Sequence, residues 1–261
     1  MVVDRTGREV RSRARLVVER DARGDSVVRE LRSQAPLTLV PRRRTSGTSR
    51  RAVVHLVGSA SSPLGGDDLA LHVSVAPGAR LSLRGIAATL ALPGHGPGGS
   101  RSSIRIEVAE GGTVEYLPEP TVVTERAAHR AELSVRLEEH ARVRCLETLV
   151  LGRTGEQPGQ LRTDLELERG GRRLLRNGLD VGDPALGASH GYLGGARVLA
   201  TEAVVWDRDP EAPVSERDWT LVPLASGGAL TTVLTGDTIT AGRCLERARA
   251  AHPAGAEFTE R

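Results

Sequence analysis

The chain reads as a succession of short runs in which apolar and polar residues alternate, the period of a strand with one dry and one wet side. Leu69, Leu71, Val73 and Val75 alternate with Ala70, His72 and Ser74; the turn Ala76-Pro77-Gly78-Ala79 follows, and Leu81 and Leu83 resume the pattern. Ile104, Ile106 and Val108, the turn Glu110-Gly111-Gly112, then Val114 and Tyr116 repeat it. Leu133, Val135 and Leu137, the turn Glu138-Glu139-His140-Ala141, then Val143 and Cys145 repeat it again. Leu161, Thr163, Leu165 and Leu167 open a fourth unit, turned at Arg169-Gly170-Gly171. The units recur at about 30 residues, a period that predicts stacked sheet layers. Glycine at the turns supplies the positive φ that such loops need. One polar face per strand predicts antiparallel pairing. The expected class is all-β, mainly antiparallel, with β-helix-like layers and one or two minor helices near the C-terminus.

That helix is predicted from about Ile239 to Ala251, with Asp237 or Thr238 as N-cap and Pro253 beyond it as a stop. Residues 84–100 are less regular and contain the loop Pro93-Gly94-His95-Gly96-Pro97-Gly98-Gly99. No linker divides the chain, so 1–261 is read as one domain, with 1–13 and 253–261 frayed.

Composition narrows the chemistry. The 36 basic residues are all Arg, which excludes a Walker A loop and a Schiff-base lysine. The five aromatics (Trp206, Trp219, Tyr116, Tyr192, Phe258) leave the core to Val, Leu, Ile and Ala. Residues 1–51 carry 14 Arg against 6 acidic residues, a local +8, and the remainder carries −5. Basic charge without interleaved aromatics argues against single-stranded nucleic acid and for a solvated edge or partner surface. No apolar run approaches the roughly 18 to 20 residues that span a bilayer, and the N-terminus is too charged for a secretory signal. Two cysteines, Cys145 and Cys244, make no disulfide framework and fit a reduced, cytoplasmic setting.

Catalytic and metal motifs are sparse. Gly187-Ala188-Ser189-His190-Gly191 satisfies the G-x-S-x-G pattern, but neither flank supplies the strand and helix that a nucleophile elbow needs. It leaves a serine hydrolase using Ser189 and His190 as the rival from another class. A β-helical carbohydrate-active protein is a third reading, without the aromatic platforms that sugars stack on. The seven histidines never pair at H-x-H or H-x-x-x-H spacing and there is no Cys-x-x-Cys, so no permanent metal site is expected.

Four further segments carry a specific signal: Pro63-Leu64-Gly65-Gly66-Asp67-Asp68-Leu69 with Ala87-Ala88-Thr89 after it; Val114-Glu115-Tyr116-Leu117-Pro118-Glu119-Pro120-Thr121; Glu147-Thr148-Leu149-Val150-Leu151-Gly152-Arg153, running into Gly155-Glu156-Gln157-Pro158-Gly159; and Gly228-Ala229-Leu230-Thr231-Thr232. In this order they resemble the urease accessory protein UreD (UreH) family, in its actinobacterial form, from about Ala14 to Leu245. Arg84-Gly85 and Leu90 depart from the polar residues usual in that family, so a guiding role for those groups is not carried over. The resemblance implies a non-enzymatic scaffold. It would bind apo-urease and UreF, with UreG joining through UreF and a dimeric accessory complex left open. It would hold no tight cofactor, with nickel in transit along a polar passage.

On that resemblance Asp67, Glu115, Glu147 and His72 are ion-path candidates; weak oxygen ligands would release nickel where a His- and Cys-rich lining would hold it. Each has a plainer reading. Asp67 suits a turn carboxylate, and Glu115, opposite the dry face, suits a solvated strand position. Glu147 alternates with Cys145 and Leu149 on the dry side, where its alternative is a buried pair with an Arg such as Arg153. His72 sits among polar positions that would face a wet interior. Gly65, Gly66, Thr89, Leu117, Pro118, Glu119, Pro120, Gly152 and Arg153 are the motif or partner-facing candidates. Trp206 and Trp219 are core anchors or interface residues.

Overall fold

The computed structural model describes residues 9–43, 50–94, 98–187, 189 and 191–259. Strands β1 (Arg11–Arg20) and β2 (Ser26–Arg32) form an antiparallel hairpin, and β3 (Leu37–Pro41) and β4 (Ala52–Gly58) a second antiparallel pair. The chain then shuttles between two sheets. β5 (Asp68–Val75) lies in the first and β6 (Arg80–Gly85) in the second; past the short β7 (Thr89–Ala91), β8 (Ser100–Val108) and β9 (Thr113–Leu117) do the same. Past β10 (Thr121–Val123), β11 (Ala128–Leu137) and β12 (Arg142–Leu151) repeat the step. β13 (Gln160–Arg169) and β14 (Arg172–Val181) finish the first sheet. A helical turn, α1 (Pro184–Gly187), leads to β15 (Val198–Val205), β16 (Val214–Ser215), β17 (Trp219–Pro223) and β18 (Ala229–Thr235), which extend the second. Helix α2 (Thr238–Ala251) and a 3-10 turn (Gly255–Thr259) complete the described chain.

The layered β prediction holds, but mainly antiparallel pairing does not. β1, β5, β8, β11 and β13 pair in parallel, as do β4, β6, β9 and β12, while the margins of both sheets are antiparallel. Alternation reports which face is dry; it does not report which strand lies alongside. The first three turns are arches that carry the chain across to the facing sheet. Each closes a hydrogen bond from the fourth residue to the first: Ala79 N–H to Ala76 O (3.0 Å), Gly112 to Ala109 (2.9 Å), Ala141 to Glu138 (3.2 Å). Each puts its third residue in the left-handed region, Gly78 at φ 65°, Gly111 at 64° and His140 at 58°, the requirement of a type II turn. Gly170 and Gly171 are both left-handed, at 54° and 78°, and there the chain folds back within one sheet as a hairpin.

Parallel pairing in register stacks like on like. Leu71, Ile104, Leu133 and Leu165 form one ladder, and Val73, Ile106, Val135 and Leu167 the next. Opposite them, Leu81, Val114, Val143 and Val205 run beside Leu83, Tyr116, Cys145 and Ala203. The two sets close on each other as the main core. Each fully buried aliphatic side chain contributes about 1.5–3 kcal/mol, which lets the core do without many rings. The outer face of the first sheet stays wet and carries cross-strand pairs such as Arg101–Glu132 and Arg162–Asp180.

Helix α2 begins where its cap predicts: the Asp237 carboxylate accepts the Thr240 N–H at 2.8 Å. Its Ala241, Cys244, Leu245 and Ala248 pack on Trp219, Leu221 and Val233 on the outer face of the second sheet. Cys145 lies on the inner face of that sheet and both thiols are free, so the sheet separates them. Arg11 to Arg13 belong to β1, and Phe258 of the 3-10 turn packs edge-on against Trp206 with centroids 5.1 Å apart. Both tryptophans are buried core anchors. No helix among the described residues is long and apolar enough to cross a membrane.

Candidate functional site

The two sheets do not seal completely. Away from the arches they part around a cavity of about 160 Å³, lined by Leu69, Leu71, Ile104, Leu133, Tyr116, His129 and Glu147, with Pro36, Pro63, Ala87, Thr89, Pro118 and Glu119 around it. Alternation sets the orientation of Glu147. It shares a face of β12 with Cys145 and Leu149, both buried in the core between the sheets. Glu147 keeps some accessible surface although protein encloses it, because it borders the cavity. The Thr163 hydroxyl of β13 lies 2.8 and 2.9 Å from its two oxygens, and among the described residues no Arg is paired with it. The pairing with Arg153 considered from the sequence does not form; Arg153 is exposed and bonded to Glu156. Burial, partly offset by the Thr163 hydroxyl, raises the Glu147 pKa above the ordinary carboxylate value.

Two neighbours on this cavity escaped the sequence reading. His129 is buried, with Nδ1 2.8 Å from Ser100 Oγ, and burial lowers its pKa to about 4, so its imidazole is neutral at pH 7. Tyr116 is buried, and desolvation, reinforced by Cys145 and Glu147, raises its phenol pKa. Burial pushes the Cys145 thiol beside it up to about 12, so it carries no thiolate at pH 7. The signal available for Thr163 and His129 was a polar residue in the inward register of a strand otherwise filled with Leu and Val.

The remaining candidates lie elsewhere. Asp67 is buried but saturated: it accepts the Val10 N–H at 3.1 Å, the Ser62 hydroxyl at 2.6 Å and the Leu64 N–H at 2.9 Å. It thus ties the Gly65-Gly66 turn to the approach of β1. Gly65 is tight for a different reason, since a Cβ there would stand 2.8 Å from Gly94 N. His72 is on the outer face of the first sheet, 3.0 Å from Glu107, because the wet side of β5 is outside and not in the interior. Glu115 does lie opposite the dry face, as alternation predicts, yet it is only 4% exposed. The C-terminal segment covers that face, and Glu115 joins a buried chain of ion pairs, Arg51–Glu115–Arg144–Glu202–Arg249. Pro118 is half-buried and Glu119 exposed at the cavity, with Gly85 against them: a Cβ on Gly85 would stand 2.4 Å from Glu119 N. Gly152 is buried at φ 76° and donates to Val123 O, and Arg197 holds the following loop through the carbonyls of Leu151 and Arg153.

The literal nucleophile motif has no elbow. Ser189 is exposed after the four-residue α1, and the described chain beyond it is a run of turns to Gly195; His190 and His95 lie outside the described residues. Among the described residues no three His, Cys, Asp or Glu side chains group to hold a metal.

The family model described as UreD urease accessory protein matches residues 10–253, nearly the whole chain. This chain belongs to the UreD family. It is 58% identical to the urease accessory protein UreD 1 of Saccharopolyspora erythraea, covering 94% of this chain and 96% of the relative. It is 39% identical to a UreD of a Parafrankia strain, over 91% and 87% of the two chains, and 38% identical to that of Streptomyces avermitilis, over 93% and 98%. UreD proteins are accessory factors for urease and not catalysts, so the chain is a urease accessory protein and not an enzyme.

Proposed function

We propose that this UreD acts as a scaffold between other proteins, binding apo-urease and UreF, with UreG joining through UreF, and passing nickel toward the urease active site along the cavity between its sheets. The observation that carries the reading is Glu147: a carboxylate inside a β-sandwich, with no paired cation among the described residues, bordering a hollow with room for several waters. One hard oxygen donor and a hydroxyl attract a divalent ion without gripping it, where a set of three or four His and Cys ligands would retain nickel. Thr89, Pro118 and Glu119 at the edge of the cavity supply the surface for the partner that gives or receives the ion. Pro118 and Pro120 have no amide donor, so this part of the rim offers an incoming strand few N–H groups, while Pro120 O already accepts the Thr89 N–H at 2.9 Å.

Co-expression with apo-urease, UreF and UreG tests both halves. The chain is expected to co-purify with UreF and apo-urease, and Glu147→Ala to leave that assembly intact while lowering nickel per urease active site. Failure to co-purify at micromolar concentration would remove the scaffold role; full nickel loading by Glu147→Ala would remove the ion path.

A further inference from the structure

The inner face of the first sheet changes character toward the end farthest from the arches. Its core rungs are aliphatic, Val73, Ile106, Val135 and Leu167, then Leu71, Ile104, Leu133 and Leu165. The next rung along is Leu69, Ser102, Ala131 and Thr163, and the one after it includes Ser100, His129 and Leu161. A stripe of small and polar side chains therefore runs from Thr163, which holds Glu147, past Ala131 and Ser102 to His129. Beyond that end lies a wide groove of about 730 Å³, bordered by the starts of β8, β11 and β13 and the end of β14. Among the described residues, His129 is the one that borders both this groove and the cavity between the sheets.

The surroundings of His129, which is 6% exposed, leave one ring nitrogen open. Nδ1 lies 2.8 Å from Ser100 Oγ, and that oxygen lies 3.5 Å from Ala128 O. Both contacts are satisfied when the serine hydroxyl donates to the carbonyl and Nδ1–H donates to Oγ, which leaves Nε2 with its lone pair. Among the described residues no hydrogen bond engages Nε2. Next to it Ala131 presents a methyl where the adjacent rung carries Leu133, and both border the cavity. The guanidiniums at the groove are committed to carboxylates, Arg101 to Glu132, Arg130 to Asp164 and Arg162 to Asp180. A cation entering there meets no row of uncompensated positive charge.

We propose, resting on the reading of the cavity as a nickel path, that His129 is its selectivity-determining donor. The ion moves between the outer groove and Glu147 by way of His129 Nε2, and the groove is one mouth of the passage. Glu147 and the Thr163 hydroxyl are hard oxygen donors, which suit Mg²⁺ and Ca²⁺ as well as nickel, whereas an imidazole nitrogen prefers nickel and its first-row neighbours. One nitrogen followed by one carboxylate discriminates between ions without building the multi-ligand set that would retain them.

Binding is read on the full chain carrying carbon-13 at histidine Cε1, with the His129 signal identified by its loss in His129→Asn. Ni²⁺ is expected to broaden that signal saturably in the presence of excess Mg²⁺, and Mg²⁺ alone to leave it in place. Passage is read in the purified complex with apo-urease, UreF and UreG, as the rate of nickel loading at limiting Ni²⁺ in excess Mg²⁺. His129→Asn keeps a polar group beside Ser100 and lacks Nε2. It is expected to slow loading about tenfold, the equivalent of about 1.4 kcal/mol. The slowing shrinks when Mg²⁺ is withdrawn, which a merely structural role would not produce. Ala131→Leu fills the space between His129 and Thr163; it is expected to slow loading while leaving the His129 broadening intact, because the ion still reaches the ring from the groove. Co-purification and the dispersion of the remaining histidine signals check that both variants are folded. Loading slowed by Glu147→Ala but by neither His129→Asn nor Ala131→Leu would overturn the role of His129 and leave the path standing. Full loading in all three would remove the path itself, and absence of saturable broadening at His129 would overturn the proposal.

Discussion

Thr163 of the first sheet and Glu147 of the second meet across the interior, the hydroxyl 2.8 Å from one carboxylate oxygen and 2.9 Å from the other. This is a polar bridge inside a sandwich whose other facing positions are largely Leu, Val and Ile. The single hydroxyl hydrogen is shared between the two oxygens, which leaves the carboxyl group largely desolvated.

The bridge predicts a pH signature. Burial raises the folded-state pKa of Glu147 above 4.5, its ordinary value, so between those two pH values the folded chain holds a proton that the unfolded chain has released. Stability from this group is therefore intact below pH 4.5 and falls as pH rises toward the folded pKa. Glu147→Gln removes the penalty while keeping a hydrogen bond to Thr163. Its stability relative to the parent is expected to be near zero at pH 4 and positive at pH 7.5. Urea denaturation at the two pH values measures it, and an equal gap at both would show that the carboxyl is not desolvated.

His129 works in the opposite sense. Its folded pKa of about 4 lies below the unfolded 6.5, so the unfolded chain binds the proton first on acidification. Stability is expected to be level above pH 6.5 and to drop between 6.5 and 4, by up to about 3 kcal/mol at 1.36 kcal/mol per pK unit. His129→Gln should flatten that limb of the denaturation profile. An unchanged slope would mean that His129 reaches solvent.

The buried ion-pair chain gives a mutational test. Arg144 is 4% exposed and stands between Glu115 and Glu202, the latter 1% exposed. Arg144→Ala leaves Glu115 to Arg51 alone and Glu202 to Arg249 alone, removes two buried charge-assisted hydrogen bonds, and is expected to cost about 3–5 kcal/mol. Arg249→Ala, at the edge of the chain, leaves Arg144 on Glu202 and should cost less, chiefly by loosening α2. Comparable losses from the two would contradict the central position of Arg144.

What was legible in the sequence follows the physics of each signal. Alternation placed the dry faces correctly, down to Glu147 pointing inward and Glu115 outward. It carries no information about which strand is adjacent, so it points to mainly antiparallel layers where the sheets are mixed, with parallel centres and antiparallel margins. Nor does it see what covers an outer face. Glu115 was therefore read as solvated, when α2 and the 3-10 turn bury that side of the sheet. His72 shows the same limit in reverse, since polar alternation cannot distinguish outside from a wet interior. Arg144, Glu202 and Arg249 sit on three distant elements, and only the folded register brings them into one chain.

The arches supply the last prediction. Three successive turns require a left-handed third residue, and two of them use Gly, whereas the third uses His140 at φ 58°. A Cβ makes that region unfavourable, and the side chain of His140 is exposed, so no packing offsets the strain. The backbone role of the turn is the same as in its neighbours: Gly78 N–H bonds to Glu110 O, and Gly111 N–H to Glu139 O, so the arches stack on each other. His140→Gly is expected to stabilise the chain by about 1 kcal/mol, less the extra entropy that Gly gives the unfolded state. His140→Val, β-branched and ill-suited to positive φ, should destabilise it. The ranking Gly above His above Val in urea midpoint, with unchanged m-value, is the measurement that checks it. A Val variant as stable as the Gly variant would mean that the third arch tolerates another turn type.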